Sequence, residues 1–508
     1  MWGPLRLRCK FENSTAFLNE DMGGAVVSKT KEPQFKAAQD YAYEIKKREN
    51  RWAIGTPKTA SPASPSSPQR RKKKQEEEPH TIANSLVLRI GQLDGLAASV
   101  SEIYVRVSLC RLNIESGRYE VLSQVRTQRR YNTSKPAWYS FRPMSANAAD
   151  SDNLLVEVFT CRSVVIDSLL GASDVGVSSL KPGRDKRIPL NVADSQFGTD
   201  LFLTVQRVHP RNFRLRKRVF FIRHAESKWN QAQANRDIVG MVKQRDHPLN
   251  RTGIQQALKM SNYCNTKETP TNEVERSFLE ADEIITSPLC RALQTALVGL
   301  YAHPCTQKKG MKLMGNVREI QNLGGIDSMG MVFGSASITR AYDSLRQELA
   351  EGSTDDENFM LVSIQLIRNQ IDHFDTESEW WQYRKESKKH YVDRIRELIF
   401  SIQYGSAHRP IVVLHSLFLR QFFKHISHSL KSEDSQKLME KLSRFKIENC
   451  GCVAVDLEFE HDWPEYDNQD QTPINPSEDE DWCSGPCNSA CIVGVQLLWD
   501  TQVMDESF

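Results

Sequence analysis

At 508 residues the chain is too long for one ordinary hydrophobic core and is expected to divide into two or three domains. Its formal charge of +3 is small for that length, so bulk electrostatics give no reason to expect nucleic acid as a partner. No apolar run approaches the ~20 residues that cross a bilayer. The opening MWGPLRLRCKFENS lacks the apolar core of a secretory signal, and Trp2 stands where N-myristoylation needs glycine. Eleven scattered cysteines then read as reduced thiols, and a cytoplasmic protein is expected.

Residues 1–83 read as an unfolded linker region. TPKTASPASPSSPQRRKKKQEEEP is proline, serine and charge, with nothing to bury. Thr56, Ser61, Ser64 and Ser67 each precede a proline, as proline-directed kinase sites do, although a plain flexible tether is the favoured reading. The RRKKK run suits an anionic membrane, and the EEE that follows offsets it.

From about residue 84 to 208 the texture becomes short alternating strands: SLVLRIGQL, EIYVRVSLCRL, PAWYSFRPM, NLLVEVFT and LFLTVQRV. Turn signals separate them, the pattern of an all-β sandwich. The order of these segments, with Pro136, Trp138 and Gly171 in place, resembles a C2 domain. Calcium requires six to eight oxygen ligands, and the loops offer only Glu102 and Asp167, with Thr160 and Arg162 where that family pairs aspartates. The expectation is docking to a membrane surface or a protein without calcium, or else a solvated strand face, at Arg126, Arg129 and Arg130.

Residues 216–508 alternate strands and helices, as the layers of an α/β fold do. VFFIRHAESKWN runs an apolar strand straight into Arg223 and His224. ADEIITSPL is a strand and turn that leads into the helix CRALQTALVGLY, which carries Arg291. In KKHYVDRIRELIFSI, Val392, Ile395, Leu398, Ile399 and Ile402 share one helical face. PIVVLH is a second buried strand ending on histidine, His415. CGCVAVDLEF and CIVGVQLLWD are terminal strands around an acidic insertion at about 458–482.

Ligands of open α/β sheets bind at the carboxyl ends of strands, so Arg223, His224, Arg291 and His415 are candidates for one rim. Two cations ~4 Å apart repel by about 4 kcal/mol at an effective dielectric near 20. A phosphate dianion offsets that cost with charge-assisted hydrogen bonds.

Four blocks in order resemble the histidine phosphatase (phosphoglycerate mutase-like) superfamily: RHAESKWN, DHPLNRTGIQQA, SPLCRALQTA and VVLHSLFLR. The resemblance implies a C-terminal α/β three-layer sandwich and phosphoryl transfer without metal or cofactor. His224 would be the nucleophile, forming a phosphohistidine, which needs one ring nitrogen neutral and unprotonated. Arg223, Arg291 and His415 would neutralise the phosphoryl oxygens, with Asn230 as an amide contact. Glu319, in NVREIQNLGG, would be the acid that protonates the leaving oxygen. Glu226 is expected to support the site indirectly.

Ala225 and Ser416 stand where the superfamily commonly has glycine, and a positive φ there would cost about 1–3 kcal/mol. The expected activity is hydrolysis of a phosphate monoester on a small molecule or protein. Two alternatives stay open: a mutase returning the phosphate to its substrate, and a weakly active adaptor that binds phospho-ligands. Cys483, Cys487 and Cys491 read as a loop with free thiols, Cys450 and Cys452 as core residues of a strand, and Trp380 and Trp381 as packing.

Overall fold

The computed structural model describes residues 85–504 except 164–165, 194, 210–215, 243, 266–269, 271, 322–327, 351–353, 378–379, 382–385 and 460–489. The N-terminal linker region with its Ser/Thr-Pro sites, the acidic insertion past Phe459, and Cys483 and Cys487 lie outside the described residues.

The first domain is built from period-two alternation. In β2 (Val100–Asn113), Ile103, Val105, Val107 and Leu109 point into one core, and Leu154, Val156 and Val158 of β6 (Asn153–Ser163) join them. Nine strands form one hydrogen-bonded sheet in the order β3-β2-β6-β7-β8-β9-β1-β5, with β4 (Arg130–Thr133) paired to β2. β1 is Ser85–Asp94, β3 Arg118–Arg126, β5 Ala137–Asn147, β7 Ile166–Gly176, β8 Asp185–Val192 and β9 Leu201–Arg207.

The sheet is folded at its narrowest seam, where β7 and β8 share only the pairs Gly171–Val192 and Ala172–Asn191. A Cβ on Gly171 would lie 3.1 Å from the Asn191 carbonyl oxygen, so the close approach there favours glycine. On either side of the seam, four-strand halves send side chains into a single core around Trp138. The outer strands β3 and β5 come back against each other, which leaves the sheet curled like a half-barrel. Trp138 anchors it further by donating its indole N–H to the Gln128 carbonyl at 2.7 Å.

The second domain is a seven-stranded sheet in the order β12-β11-β13-β10-β15-β16-β14. β10 (Arg216–Arg223), β11 (Glu283–Thr286), β12 (Lys312–Leu313) and β13 (Pro410–Leu414) run parallel, while β15 (Cys452–Phe459) and β16 (Ala490–Leu498) complete one side antiparallel. β14 is the short Ser427–His428 edge.

Both faces are covered. Phe220 and Ile222 pack with helices Arg251–Asn265, Cys290–Gly299 and Gly334–Leu349. Val219 and Phe221 pack with helices Lys388–Tyr404, Ser416–His425 and Glu433–Arg444. That is why β10 reads as an uninterrupted apolar run, as buried parallel strands do. The whole is the expected α/β three-layer sandwich.

On helix 388–404, Ile395, Leu398, Ile399 and Ile402 enter the core as their spacing predicts. Cys452 is a buried strand residue, whereas Cys450 precedes the strand in a left-handed turn with φ 61°. Trp380 and Trp381 are buried against Leu289 and Met329. Among the described residues no helix is long and apolar enough to cross a membrane.

The two domains meet along β5 and helix 388–404. Val87 and Val208 pack on Tyr404, whose ring centroid lies 6.3 Å from that of Phe141. Two ion pairs are buried in the contact, Arg142 with Glu397 and Arg130 with Asp375. Arg130 therefore leaves the group of arginines expected to meet lipid or protein, because it is only 7% exposed and its charge is used inside the molecule. Arg129 pairs with Glu102 and lies 3.8 Å from Asp167, so both carboxylates of the loop region face a guanidinium.

Removing one member of a buried pair leaves a desolvated charge. Glu397→Ala is expected to lower stability in urea by about 3–5 kcal/mol; a loss below ~1 kcal/mol, the value of an exposed pair, would show that Arg142 is solvated.

Candidate active site

β11, β13 and β10 lie side by side and end at the same edge of the sheet. Arg223 sits opposite Leu414 across the β10–β13 pair, and the His224 N–H donates to the Leu414 carbonyl at 3.0 Å. The next residue of β13's chain is His415, so two strands deliver two imidazoles to one point, with ring centroids 5.1 Å apart. From β11 the Ser287 N–H donates to the Val413 carbonyl, and the following helix 290–299 presents Arg291 in its first turn. The Arg291 Nε–H donates to His224 Nε2 at 3.3 Å. His224 is 3% exposed, Arg291 2% and His415 0%.

The tautomer of His224 follows from its partners. Nδ1 lies 2.7 Å from the Ala225 carbonyl, which can only accept, so the proton sits on Nδ1 and Nε2 carries the lone pair. Burial, and after it Arg291 and Arg223, push the His224 imidazole well below its usual range. Burial, Arg291 and His224 do the same to His415.

His415 Nε2 lies 2.8 Å from Ser287 Oγ. That hydroxyl also accepts the Leu289 N–H, which holds it in place beside the ring. Nδ1 has no partner among the described residues.

Arg223 turns Nη1 to the Ile447 carbonyl, while its buried Nε has no partner among the described residues. Burial lowers its guanidinium to about 10, with Glu319 opposing and Arg291 adding to the shift, so it stays charged at neutral pH.

Glu319 stands at the amino end of helix 416–425. Its carboxylate accepts the N–H groups of Ile320 at 2.9 Å, Phe418 at 3.1 Å and Leu417 at 3.3 Å. Three donors and a helix N-terminus suit a carboxylate. Asn230 Oδ1 accepts the Ser227 N–H and hydroxyl in the capping box of helix Lys228–Ala234, which leaves Nδ2 as its donor. Neither Ala225 nor Ser416 is among the described non-glycine residues with positive φ, so both tolerate a Cβ without backbone strain. Among the described residues no group of three or more His, Cys, Asp or Glu is placed to hold a metal.

Thr295, Asp246, Asn250 and Gly253 carried no reading of their own in the sequence although they sit in the quoted blocks, whereas Glu226 was expected to support the site. Thr295 Oγ1 accepts the Ala225 N–H at 2.9 Å and donates to the Arg291 carbonyl, tying the loop after His224 to the arginine's helix. Asp246 accepts the Cys290 N–H at 2.7 Å at the start of that helix, and burial pushes its carboxyl up to about 6. Glu226 receives Asn250 Nδ2 at 2.6 Å and donates its own N–H to Gln256. A Cβ on Gly253 would meet the Glu226 carbonyl oxygen at 2.0 Å, so helix 251–265 approaches that loop only with glycine there. The blocks thus hold one another in place. Ser287, orienting His415, had no spacing signal of its own. Neither did Lys446, whose ammonium is lowered by burial and then by Arg223.

Residues 219–320 match the family model of the Histidine phosphatase superfamily (branch 1). Three of the four motif blocks, RHAESKWN, DHPLNRTGIQQA and SPLCRALQTA, lie within that match. Among solved structures the chain is similar to a phosphoglycerate mutase from Bacillus anthracis str. Sterne, with 15% identity, 48% of this chain and 90% of that one covered, and a TM-score of 0.28. It is also similar to Mycobacterial hydrolase 1, at 16% identity over 48% of this chain and 93% of that one, TM-score 0.26. The first domain is similar to a C2 domain of plant Extended Synaptotagmin 1, at 12% identity over 25% of this chain and 95% of that one, TM-score 0.21. No curated protein sequence matches the chain.

Both histidines are neutral in the fold but titrate near pH 6.5 when unfolded. Below that value the unfolded chain binds protons that the folded site refuses, so stability is present above pH 6.5 and is lost as pH falls. Melting temperature should therefore drop from about pH 7 to about pH 5, and the doubly substituted His224→Gln, His415→Gln protein should show a shallower slope. Equal slopes would show that these rings titrate normally in the fold.

Proposed function

We propose that the protein is a metal-independent phosphatase that hydrolyses a phosphate monoester through a phosphohistidine on His224. The observation that carries this reading is the locked tautomer: Nδ1–H bound to the Ala225 carbonyl leaves Nε2 as the attacking nitrogen, beside Arg291. In the first step Nε2 attacks phosphorus and the bond from phosphorus to the ester oxygen breaks. Arg223, Arg291, His415 and Asn230 Nδ2 receive the charge that spreads over the phosphoryl oxygens. These groups supply positive charge and donors without an ion.

Glu319 gives its proton to the departing oxygen and, as the carboxylate, takes one back from the water that attacks the phosphohistidine, so that the bond from phosphorus to Nε2 breaks and phosphate leaves. Three N–H donors favour its ionised form, so the protonated form depends on the negative charge that the substrate brings beside it. The first domain docks the enzyme to a membrane surface or protein in this reading, without the contribution of Arg130.

Turnover of p-nitrophenyl phosphate tests the proposal. His224→Ala is expected to reduce the rate to background, and chelator to leave it unchanged. Acid-labile, alkali-stable phosphate should be trapped on the wild-type enzyme, and wild-type turnover equal to that of His224→Ala would end the claim. Ser287→Ala is expected to lower kcat by about 10-fold or more by freeing the His415 ring. Glu319→Gln should depress phenyl phosphate hydrolysis by about 10²–10⁴, with little effect on 2,4-dinitrophenyl phosphate, whose leaving group needs no proton.

A further inference from the structure

Charged and polar groups run without interruption from the first domain to the loop that carries Glu319. Arg130, at the start of β4, donates Nε–H to the Ala137 carbonyl at 2.7 Å, which fixes its direction. Its Nη2 then reaches Asp375 at 3.1 Å, across the domain boundary. The second oxygen of Asp375 accepts the Gly315 N–H at 2.9 Å. Gly315 opens the short turn Gly315–Val317, which leads directly into Arg318 and Glu319. Arg394 closes the turn from the other side, donating to the carbonyls of Asn316 and Arg318 at 2.8 Å each.

Asp375 is therefore shared: one oxygen belongs to the first domain's arginine, the other to the segment bearing the acid. Burial pushes its carboxyl up, and Arg130 is the largest group acting to keep it ionised. Without Arg130 the buried carboxylate would lose its largest compensating charge and keep only Lys312 and the Gly315 N–H, and either protonation or displacement would alter its hold on Gly315. Glu319 tolerates little movement, because the same carboxylate must stay on the N–H groups of Leu417 and Phe418, in the first turn of the helix that follows His415. Small displacements of a catalytic group are costly.

We propose that Arg130 and Asp375 are positioning residues for the acid step, so that the C2-like domain is a working part of the active site as well as a neighbour of it. The inference rests on the phosphatase reading for its kinetic form and on the structure alone for its physical form, and the experiment separates the two. Wild type, Arg130→Met, Arg130→Lys and Asp375→Asn are compared on phenyl phosphate and 2,4-dinitrophenyl phosphate, and by hydrogen exchange of the peptides covering 313–320 and 416–420.

The expected result for Arg130→Met is a loss of about 10- to 100-fold in kcat on phenyl phosphate, with the dinitrophenyl ester nearly unaffected and KM unchanged. Arg130→Lys should recover part of the loss. Faster exchange should appear at 313–320, with β10 and β13 as protected as in wild type. Should Arg130→Met fail to fold, Asp375→Asn, which keeps the shape of the side chain, carries the same expectation.

Equal loss on both esters, with unchanged exchange at 313–320, would overturn the inference and leave the interface a matter of stability only. If wild type hydrolyses neither ester, the phosphatase reading fails, and the exchange data alone decide whether Arg130 holds the 315–319 segment.

Discussion

The pairing of β10 with β13 is the constraint on which the site depends. Setting Arg223 opposite Leu414 places the next residue of each strand, His224 and His415, beside the other. Side chains alternate along a strand, so a slip of one residue would exchange Phe220 and Ile222 with Val219 and Phe221 and turn one histidine away. With both faces of the sheet apolar, alternation alone does not forbid that slip. The polar junction at the strand ends does: His224 N–H bonds Leu414, Arg223 N–H bonds Gly451, and Cys450 N–H returns to Arg223. The edge that carries both histidines and the register that creates it are specified by the same residues.

Charge follows from that geometry. Arg223, Arg291 and two imidazoles occupy a buried volume, and the two rings can accept that company only as neutral groups. Neutrality is also what a nucleophilic nitrogen requires. The electrostatic cost of assembling the cluster and its chemical usefulness therefore have one cause. Asp246 and Glu319, the nearby acids, are each engaged by backbone N–H groups, which hold the two carboxyls at the ends of helices 290–299 and 416–425.

Much of the fold was legible because apolar periodicity is local. The run VFFI is apolar because β10 is covered on both faces, and the 3.6-residue spacing of Ile395, Leu398, Ile399 and Ile402 faces the sheet as read. Cys450 broke the pattern: an alternating pair of cysteines looked like a strand, but the first occupies a left-handed turn that ends the return loop. Arg130 was misread for a different reason. Three arginines near a strand end look like a solvent-facing group when only one domain is considered, and the second domain's Asp375, 245 residues away, takes one of them.

The sequence by itself determined the layers, the strand ends and which residues stand at the edge where β10, β11 and β13 finish, because each is set by neighbours within a few positions. Tertiary structure alone decided the partners of those residues: Ser287 for His415, the helix 416–425 N-terminus for Glu319, and Asp375 for Arg130. The physical reason is that a buried polar group must find a donor or acceptor wherever packing brings one within about 3 Å. Which element arrives there is settled by the docking of helices, strands and domains far apart in the chain.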